Sequence, residues 1–299
     1  MMFFGDRSNK ELSEKVAQKL GMEVFYPDVH IFADGEIRIR ILEDVCEKDI
    51  LILKSLSIPV NDNIIEFCLT LNVLIESGCR DIFGIVPYLA YSRADHIFRS
   101  GEGVPLEVVI RMVEVNGLDK IMLVDPHSIK TPEIFSIPHL RISAIPVFAE
   151  KIRELVSNLK DVLLISPDRG GIRRIKILAE ELGGVSYAVI DKDRDLETGK
   201  LKIVGIEGEV KDTCFIVDDM IAGGATMAEA IEYLDKKGVK NIYGMATHPI
   251  FAGNAVKLMQ ESKAQKIFVT DTISVSKEKQ FEKLEILSVA DLIAKAVRP

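Results

Sequence analysis

The sequence predicts an α/β protein made of two similar halves, each a mainly parallel sheet flanked by helices, and three observations support that prediction. Short, continuously apolar, β-branched runs alternate with amphipathic stretches, which is the pattern of parallel strands covered on both faces. The alternation runs through the first half of the chain and returns in the second. Finally, Gly78-Cys79-Arg80-Asp81-Ile82-Phe83-Gly84 is echoed by Gly238-Val239-Lys240-Asn241-Ile242-Tyr243-Gly244, each after a helical stretch. Any two βαβ units share some of this likeness, so the echo supports a doubled plan only together with the rhythm.

In chain order, Asp49 to Lys54 reads as a buried strand, and Asn63 to Ser77 has helical apolar spacing ended by Gly78. Ile82 to Pro87 is the next strand, Leu106 to Val115 a helix, and Ile121 to Asp125 the strand after it. A Pro-marked break from Ser143 to Pro146, before a helix at Val147, divides the chain into domains 1–144 and 145–299. The second half gives a strand at Val162 to Ile165, a helix at Ile172 to Leu182 and a strand at Tyr187 to Ile190. A strand at Phe215 to Val217, a helix at Met227 to Lys237 and a strand at Ile242 to Ala246 follow. The tail adds a strand at Leu284 to Leu287 and a helix through Val297, suited to packing on the first domain or to a subunit contact.

With 299 residues the chain is long enough for two domains. Its formal charge of -8 argues against nucleic acid or an anionic membrane as the main partner, so phosphate binding must rest on local clusters. Cys46, Cys68, Cys79 and Cys214 form no CxxC pair and have no His at zinc-ligand spacing, as expected of thiols in a reducing compartment. The segment Met1 to Arg7 meets an acid too soon for a signal peptide, and no apolar run reaches the ~20 residues of a membrane span. A soluble, cytoplasmic protein is expected.

The strongest local signal is Phe215-Ile216-Val217-Asp218-Asp219-Met220-Ile221-Ala222-Gly223-Gly224-Ala225-Thr226. It is an apolar strand ending in two acids, then a small-residue loop and a helix start. Ligands of open α/β sheets bind at the carboxyl ends of strands. Vicinal carboxylates there accept hydrogen bonds from a sugar diol, and a glycine loop at a helix start offers N–H donors to a phosphate. A helix cap with acidic decoration would look similar, but two acids plus two glycines favour a phosphosugar site.

At this point the sequence resembles the ribose-phosphate diphosphokinase (phosphoribosyl pyrophosphate synthetase) family, built from two domains of the type I phosphoribosyltransferase fold. The resemblance runs through nearly the whole chain in ordered motifs. They are Phe32-Ala33-Asp34-Gly35-Glu36, Pro59-Val60-Asn61-Asp62-Asn63, Tyr88 to Asp95, Val124-Asp125-Pro126-His127-Ser128 and Ser166-Pro167-Asp168-Arg169-Gly170-Gly171. Asp191-Lys192-Asp193-Arg194, the double-Asp loop, Ala246-Thr247-His248-Pro249 and Thr270-Asp271-Thr272-Ile273 complete the series.

The resemblance implies Mg2+-dependent transfer of the diphosphoryl group of ATP to the 1-hydroxyl of ribose 5-phosphate, releasing AMP. It assigns Phe32, Asp34, Glu36, Arg93, Asp95 and His127 to ATP, with the Phe32 loop reaching the ATP site of a neighbouring subunit. A homo-oligomer, dimer to hexamer, follows. Asp218, Asp219, Gly223, Gly224, Ala225 and Thr226 would hold ribose 5-phosphate. His127 and Asp168 would sit at the metal, Asp168 the better direct ligand because Mg2+ prefers carboxylates. Lys192 and Arg194 would be the catalytic cations of a mobile loop; without the resemblance, the run from Asp191 to Lys200 reads as an exposed charged hairpin.

Three features depart from the family pattern. The loop Ala222 to Thr226 retains Thr226 as its one hydroxyl, and each missing hydrogen bond to a charged group costs ~1.5–3 kcal/mol. Ala94 stands where Gln is usual. The Arg-rich regulatory phosphate site of many members is not clearly repeated. Two other readings share part of this pattern: a phosphoribosyltransferase that consumes the activated sugar, and a catalytically weak regulatory homologue.

Overall fold

A computed structural model describes residues 1–128, 134–194, 201–206 and 209–298, with the backbone alone at 192–194, 201, 202 and 204. The chain falls into two compact units. The N-terminal unit comprises Met1–Ser143, Thr272–Ser274 and Val289–Pro299; the C-terminal unit comprises Ala144–Asp271 and Val275–Ser288.

The N-terminal unit starts with β1 (Met2–Phe4), α1 (Lys10–Leu20) and β2 (Val24–Phe25). A hairpin of β3 (Asp28–Ile31) and β4 (Ile37–Arg40) forms its own small antiparallel sheet. Next come β5 (Ile50–Leu53), α2 (Val60–Glu76), β6 (Ile82–Val86), α3 (Pro105–Val115), β7 (Lys120–Val124) and β8 (His139–Ile142). The six-stranded sheet has the order β2-β1-β5-β6-β7-β8, with every pair parallel. All four residues of β5 are buried, as a strand covered on both faces requires.

The C-terminal unit opens with α4 (Ile145–Leu155), β9 (Val162–Ser166), α5 (Ile172–Glu181), β10 (Ser186–Arg194) and β11 (Leu201–Ile206). It continues with β12 (Thr213–Ile221), α6 (Ala225–Lys236), β13 (Asn241–Pro249), α7 (Ala255–Glu261), β14 (Lys266–Thr270) and β15 (Leu284–Leu287). Its seven strands lie in the order β11-β10-β9-β12-β13-β14-β15, parallel except for β10 with β11. The rings of Phe215 and Tyr243, partners in the β12–β13 register, stack at 4.7 Å and stiffen the sheet centre.

The two sheets share one plan. In each the chain lays down a strand, a helix and a strand to one side, then restarts on the other side of the first strand. The order therefore reverses between β1 and β5 in one unit and between β9 and β12 in the other. The sequence echo falls on equivalent places: Gly78 after α2 and Gly238 after α6 have φ of +80° and +82°, and each leads into the second strand beyond the reversal. A left-handed residue there stops the helix and redirects the chain, which glycine does without a Cβ penalty.

Several boundaries differ from the sequence reading. The N-terminal residues form β1 and α1, with Phe3 and Phe4 fully buried. Helix α4 begins at Ile145, two residues before Val147, because Pro146 fits the first turn, where its missing N–H leaves no bond unmade. Strand β10 continues past Ile190 through Arg194, because Asp191 to Arg194 pair with Gly205 to Leu201. Strand β12 likewise runs past Val217 to Ile221, and α6 starts at Ala225 rather than Met227. The final helix, α8 (Ala290–Val297), belongs to the N-terminal unit, where Asp291 pairs with Lys19 at 2.9 Å. Among the described residues, no helix is long and apolar enough to cross a membrane.

Candidate active site

The order reversal of the C-terminal sheet brings the ends of β9 and β12 together, and both ends bear acids. In open α/β sheets this crevice is where ligands bind. Asp218 and Asp219 lie within β12, with Asp219 almost fully buried. The Asp219 N–H donates to Asp218 Oδ1 at 2.9 Å. Arg174, in the first turn of α5, reaches both acids: its Nη1 lies 3.5 Å from Asp218 Oδ1 and its Nη2 3.7 Å from Asp219 Oδ1. Burial first, and then the neighbouring charge of Asp219, push the Asp218 carboxyl up to about 8, against the pull of Arg174. Asp168 adds to this repulsion. The three acids carry more negative charge than the Arg174 guanidinium alone offsets.

Asp168 caps the short 3-10 turn Arg169–Gly171, its Oδ1 accepting the Gly171 N–H at 3.2 Å. The Ser166 hydroxyl donates to the Asp168 carbonyl at 2.7 Å. A Cβ on Gly171 would stand 2.3 Å from Ser166 Oγ, so a side chain here would push that hydroxyl off its bond to Asp168. These contacts fix where α5 starts, and hence where Arg174 points.

Beyond β12 the chain turns through Ala222 to Gly224 into α6. Gly224 has φ +81°, and a Cβ there would meet the Ala255 Cα at 3.1 Å. Gly223 and Ala225 are exposed, and a Cβ on Gly223 would meet nothing within 4 Å. Thr226 is the second residue of α6, not its start. The first-turn N–H groups of a helix lack intrahelical partners, so this exposed loop suits an anion.

Lys192 and Arg194 lie on the β10–β11 hairpin, opposite Ile203 and Leu201. Their side chains, like residues 195–200, lie outside the described residues. At the hairpin base, Arg169 Nε donates to Asp191 Oδ1 at 2.7 Å, which holds the Asp191 carboxyl below its ordinary range.

In the N-terminal unit, Phe32 to Glu36 form the tip of the β3–β4 hairpin. The Phe32 N–H donates to the Glu36 carbonyl at 2.8 Å, and Asp34 Oδ1 accepts the Glu36 N–H at 3.1 Å. Phe32 is 41% exposed, with Arg38 over its ring at 5.5 Å and His30 edge-on at 4.7 Å. An aromatic face presented this way, with two exposed carboxylates beside it, suits a base and its sugar. Arg93 and His127 are exposed. Asp95 is half-buried, and burial raises its carboxyl. Hydrogen bonds from Ser128 and His96 outweigh that and bring it below the ordinary value. The His96 ring nitrogen lies 2.6 Å from Asp95 Oδ1. The structure thus joins Asp95 to Ser128, the neighbour of His127. Tyr91 and Asp125 have φ of +58° and +35°, a backbone conformation that non-glycine residues rarely adopt and that clusters at functional sites.

Sequence reasoning missed Arg174. Helical spacing could have singled it out, because Arg174 shares a face with buried Leu178 one turn on, whereas Arg173 points to solvent.

Two parallel sheets of one plan, with an acid pair and a glycine loop at the order reversal, define tandem α/β domains of the phosphoribosyltransferase type. Residues 1–117 match the family described as the N-terminal domain of ribose phosphate pyrophosphokinase, and residues 133–282 match the phosphoribosyl transferase domain. The chain belongs to the ribose-phosphate pyrophosphokinase family of enzymes. It is 34% identical to ribose-phosphate pyrophosphokinase 1 of Streptococcus pneumoniae over 99% of this chain and 92% of that one. Against the protein of the same name from Streptococcus pyogenes it is 35% identical, covering 99% and 93%. The crystal structure of phosphoribosylpyrophosphate synthetase from Mycobacterium smegmatis superposes with a TM-score of 0.91 at 31% identity, covering 99% of this chain and 97% of that one.

Proposed function

We propose that this chain makes phosphoribosyl pyrophosphate by transferring the diphosphoryl group of ATP to the 1-hydroxyl of ribose 5-phosphate, releasing AMP, as a cytoplasmic enzyme of nucleotide biosynthesis. The observation that supports this most is the Asp218–Asp219 pair at the order reversal, beside an exposed glycine loop that opens a helix. The two carboxylates accept the 2- and 3-hydroxyls of the pentose. The 5-phosphate takes the N–H groups around Gly223, Gly224 and Ala225 and the Thr226 hydroxyl. Phe32 stacks on adenine, Asp34 and Glu36 accept from base or ribose, and Arg93, Asp95 and His127 complete the nucleotide set. Lys192 and Arg194 offset the charge that grows on the diphosphoryl group as it leaves AMP. The exposed hairpin tip at Phe32 suits contact with a neighbouring subunit of a homo-oligomer, dimer to hexamer.

The donor chemistry fits Mg2+. The sugar site is rich in carboxylate oxygen, and Mg2+ is held by one or two carboxylates together with waters and phosphate oxygens. Among the described residues, no group of three or more His, Cys, Asp or Glu lies together as a metal site, and a Mg2+ that keeps waters and binds substrate phosphates does not need one. Asp168 is the ligand we assign first, and His127 second. Bound there, the ion supplies charge neutralisation on phosphoryl oxygens.

Incubation with ATP, Mg2+ and ribose 5-phosphate, followed by nucleotide separation, tests the proposal. AMP formed only in the presence of the sugar phosphate is the expected result. ATP bound without turnover would favour a regulatory homologue and defeat it.

A further inference from the structure

We propose that Arg174 is a positioning residue of the sugar site: its guanidinium spans the carboxylates of Asp218 and Asp219 and holds them in one arrangement to receive the 2- and 3-hydroxyls of the pentose. This rests on the function proposed above. Four observations lead to it. The side chain is only 16% exposed although it is an arginine in a first helical turn, so it is directed inward. Its two terminal nitrogens address different acids, at 3.5 and 3.7 Å. Those distances are longer than bidentate hydrogen bonds, so the guanidinium acts as a shared counter-charge. Each carboxylate has about four acceptor directions, and a counter-charge at this range leaves capacity for hydroxyl donors.

The third observation is that Asp218 Oδ1 is held from a second side by the Asp219 N–H at 2.9 Å, so the pair has one fixed geometry. The fourth is the bracing of the arginine itself. The Ser166–Asp168–Gly171 contacts set the start of α5, and a Cβ on Gly171 would come within 3.6 Å of Arg174 Nη1. Replacing Arg174 takes away the one group seen to reach both acids, and with it the constraint it puts on their relative placement, so the match to a cis-diol would be lost. Sensitivity should therefore appear at the sugar and not at the nucleotide, and most sharply at the 2-hydroxyl.

The test uses the full chain and four proteins: wild type, Arg174→Met, Arg174→Lys and Arg173→Met, the last at an exposed neighbour. KM for ribose 5-phosphate, KM for ATP, kcat and the preference for ribose 5-phosphate over 2-deoxyribose 5-phosphate are measured. Arg174→Met should raise KM for ribose 5-phosphate about tenfold or more with KM for ATP within about twofold, and the preference should shrink by a similar factor. Arg174→Lys keeps the charge without the two-pronged reach and should fall between, at about threefold. Arg173→Met should match wild type. If Arg174→Met does not fold, an intermediate preference in Arg174→Lys supports the proposal and a wild-type preference overturns it. An Arg174→Met protein with an unchanged preference, or with both KM values raised alike, also overturns it, because that is what a merely structural residue gives. If wild type makes no AMP from ribose 5-phosphate, both this proposal and the functional one fall; if it does, a wild-type preference in the variants removes this one alone.

Discussion

At the order reversal of the N-terminal sheet, the ends of β1 and β5 hold Asp6 and Lys54, where the C-terminal sheet holds Asp168 and the Asp218–Asp219 pair. Lys54 Nζ lies 2.7 Å from Glu66 Oε1 and 3.4 Å from Asp6 Oδ1. Asp6 also accepts from the Ser8 N–H, the Ser8 hydroxyl and the Ser55 N–H, at 2.7 to 2.9 Å. The Ser55 hydroxyl donates to the Thr272 carbonyl at 2.6 Å. This crevice is filled by ion pairs and hydrogen bonds of the chain itself. In the C-terminal unit the equivalent crevice has three acids, the Arg174 guanidinium at longer range and a carboxyl driven upward by burial and repulsion. One sheet plan thus yields a structural plug in one unit and, in the other, the acid pair that we propose receives the sugar. The polarity of a few residues at strand ends decides which.

The comparison breaks most visibly at the plug. Lys54→Met leaves buried Asp6 and half-buried Glu66 without the cation they share, and removing one partner of a buried ion pair costs ~3–5 kcal/mol. The denaturant midpoint of the N-terminal transition should fall accordingly, while KM for ribose 5-phosphate in the folded fraction stays unchanged. A loss below ~1 kcal/mol, as for a surface pair, would show that the crevice is not a structural plug.

A cognate change in the other unit should act with the opposite sign. The folded-state value of Asp218 lies above its unfolded one, so the stability this group contributes is fully present below about pH 4. It is lost as pH rises through about 8. Asp218→Asn removes that loss along with the repulsion. The ligand-free variant should be more stable than wild type, and the gap should widen from pH 5 to pH 9. Its turnover with ribose 5-phosphate should nevertheless drop by about 100-fold or more, because the amide keeps one acceptor oxygen and turns an NH2 donor toward hydroxyls that also donate. Thermal denaturation across that pH range checks the first part; a constant or shrinking gap counts against the acid pair being poised for a ligand.

Much of this contrast was legible in the sequence, and the rest was hidden for definable reasons. The strand cores, the helix stops at Gly78 and Gly238 and the double-acid loop rest on local patterns, and the structure has them in place. Strand ends were harder. Asp218, Asp219 and the run Asp191 to Arg194 are polar, so apolar periodicity stops short of them, whereas pairing with β13 and β11 carries the strands on. Lys54 read as the polar end of a strand, because nothing near it in the chain shows that Asp6, 48 residues earlier, lies against it. Arg174 was hidden for the same reason: its partners are 44 and 45 residues away. Charge compensation across a sheet is a tertiary property, and spacing within one element does not report it.

The smallest expected effect is also the most local test of the proposed sugar site. Gly223 is exposed, has no left-handed φ, and has open space where a Cβ would go, so Gly223→Thr should change stability by no more than about 0.5 kcal/mol. If a phosphate sits over this loop, the new hydroxyl adds one hydrogen bond to a charged group and should lower KM for ribose 5-phosphate about threefold to tenfold. Gly224→Ala is the matched control. It combines φ +81° with a 3.1 Å approach to the Ala255 Cα, so it should cost stability and improve nothing. An unchanged KM in Gly223→Thr would mean that the phosphate does not lie within reach of residue 223, and that the anion-binding role belongs to some other part of the acid-lined crevice.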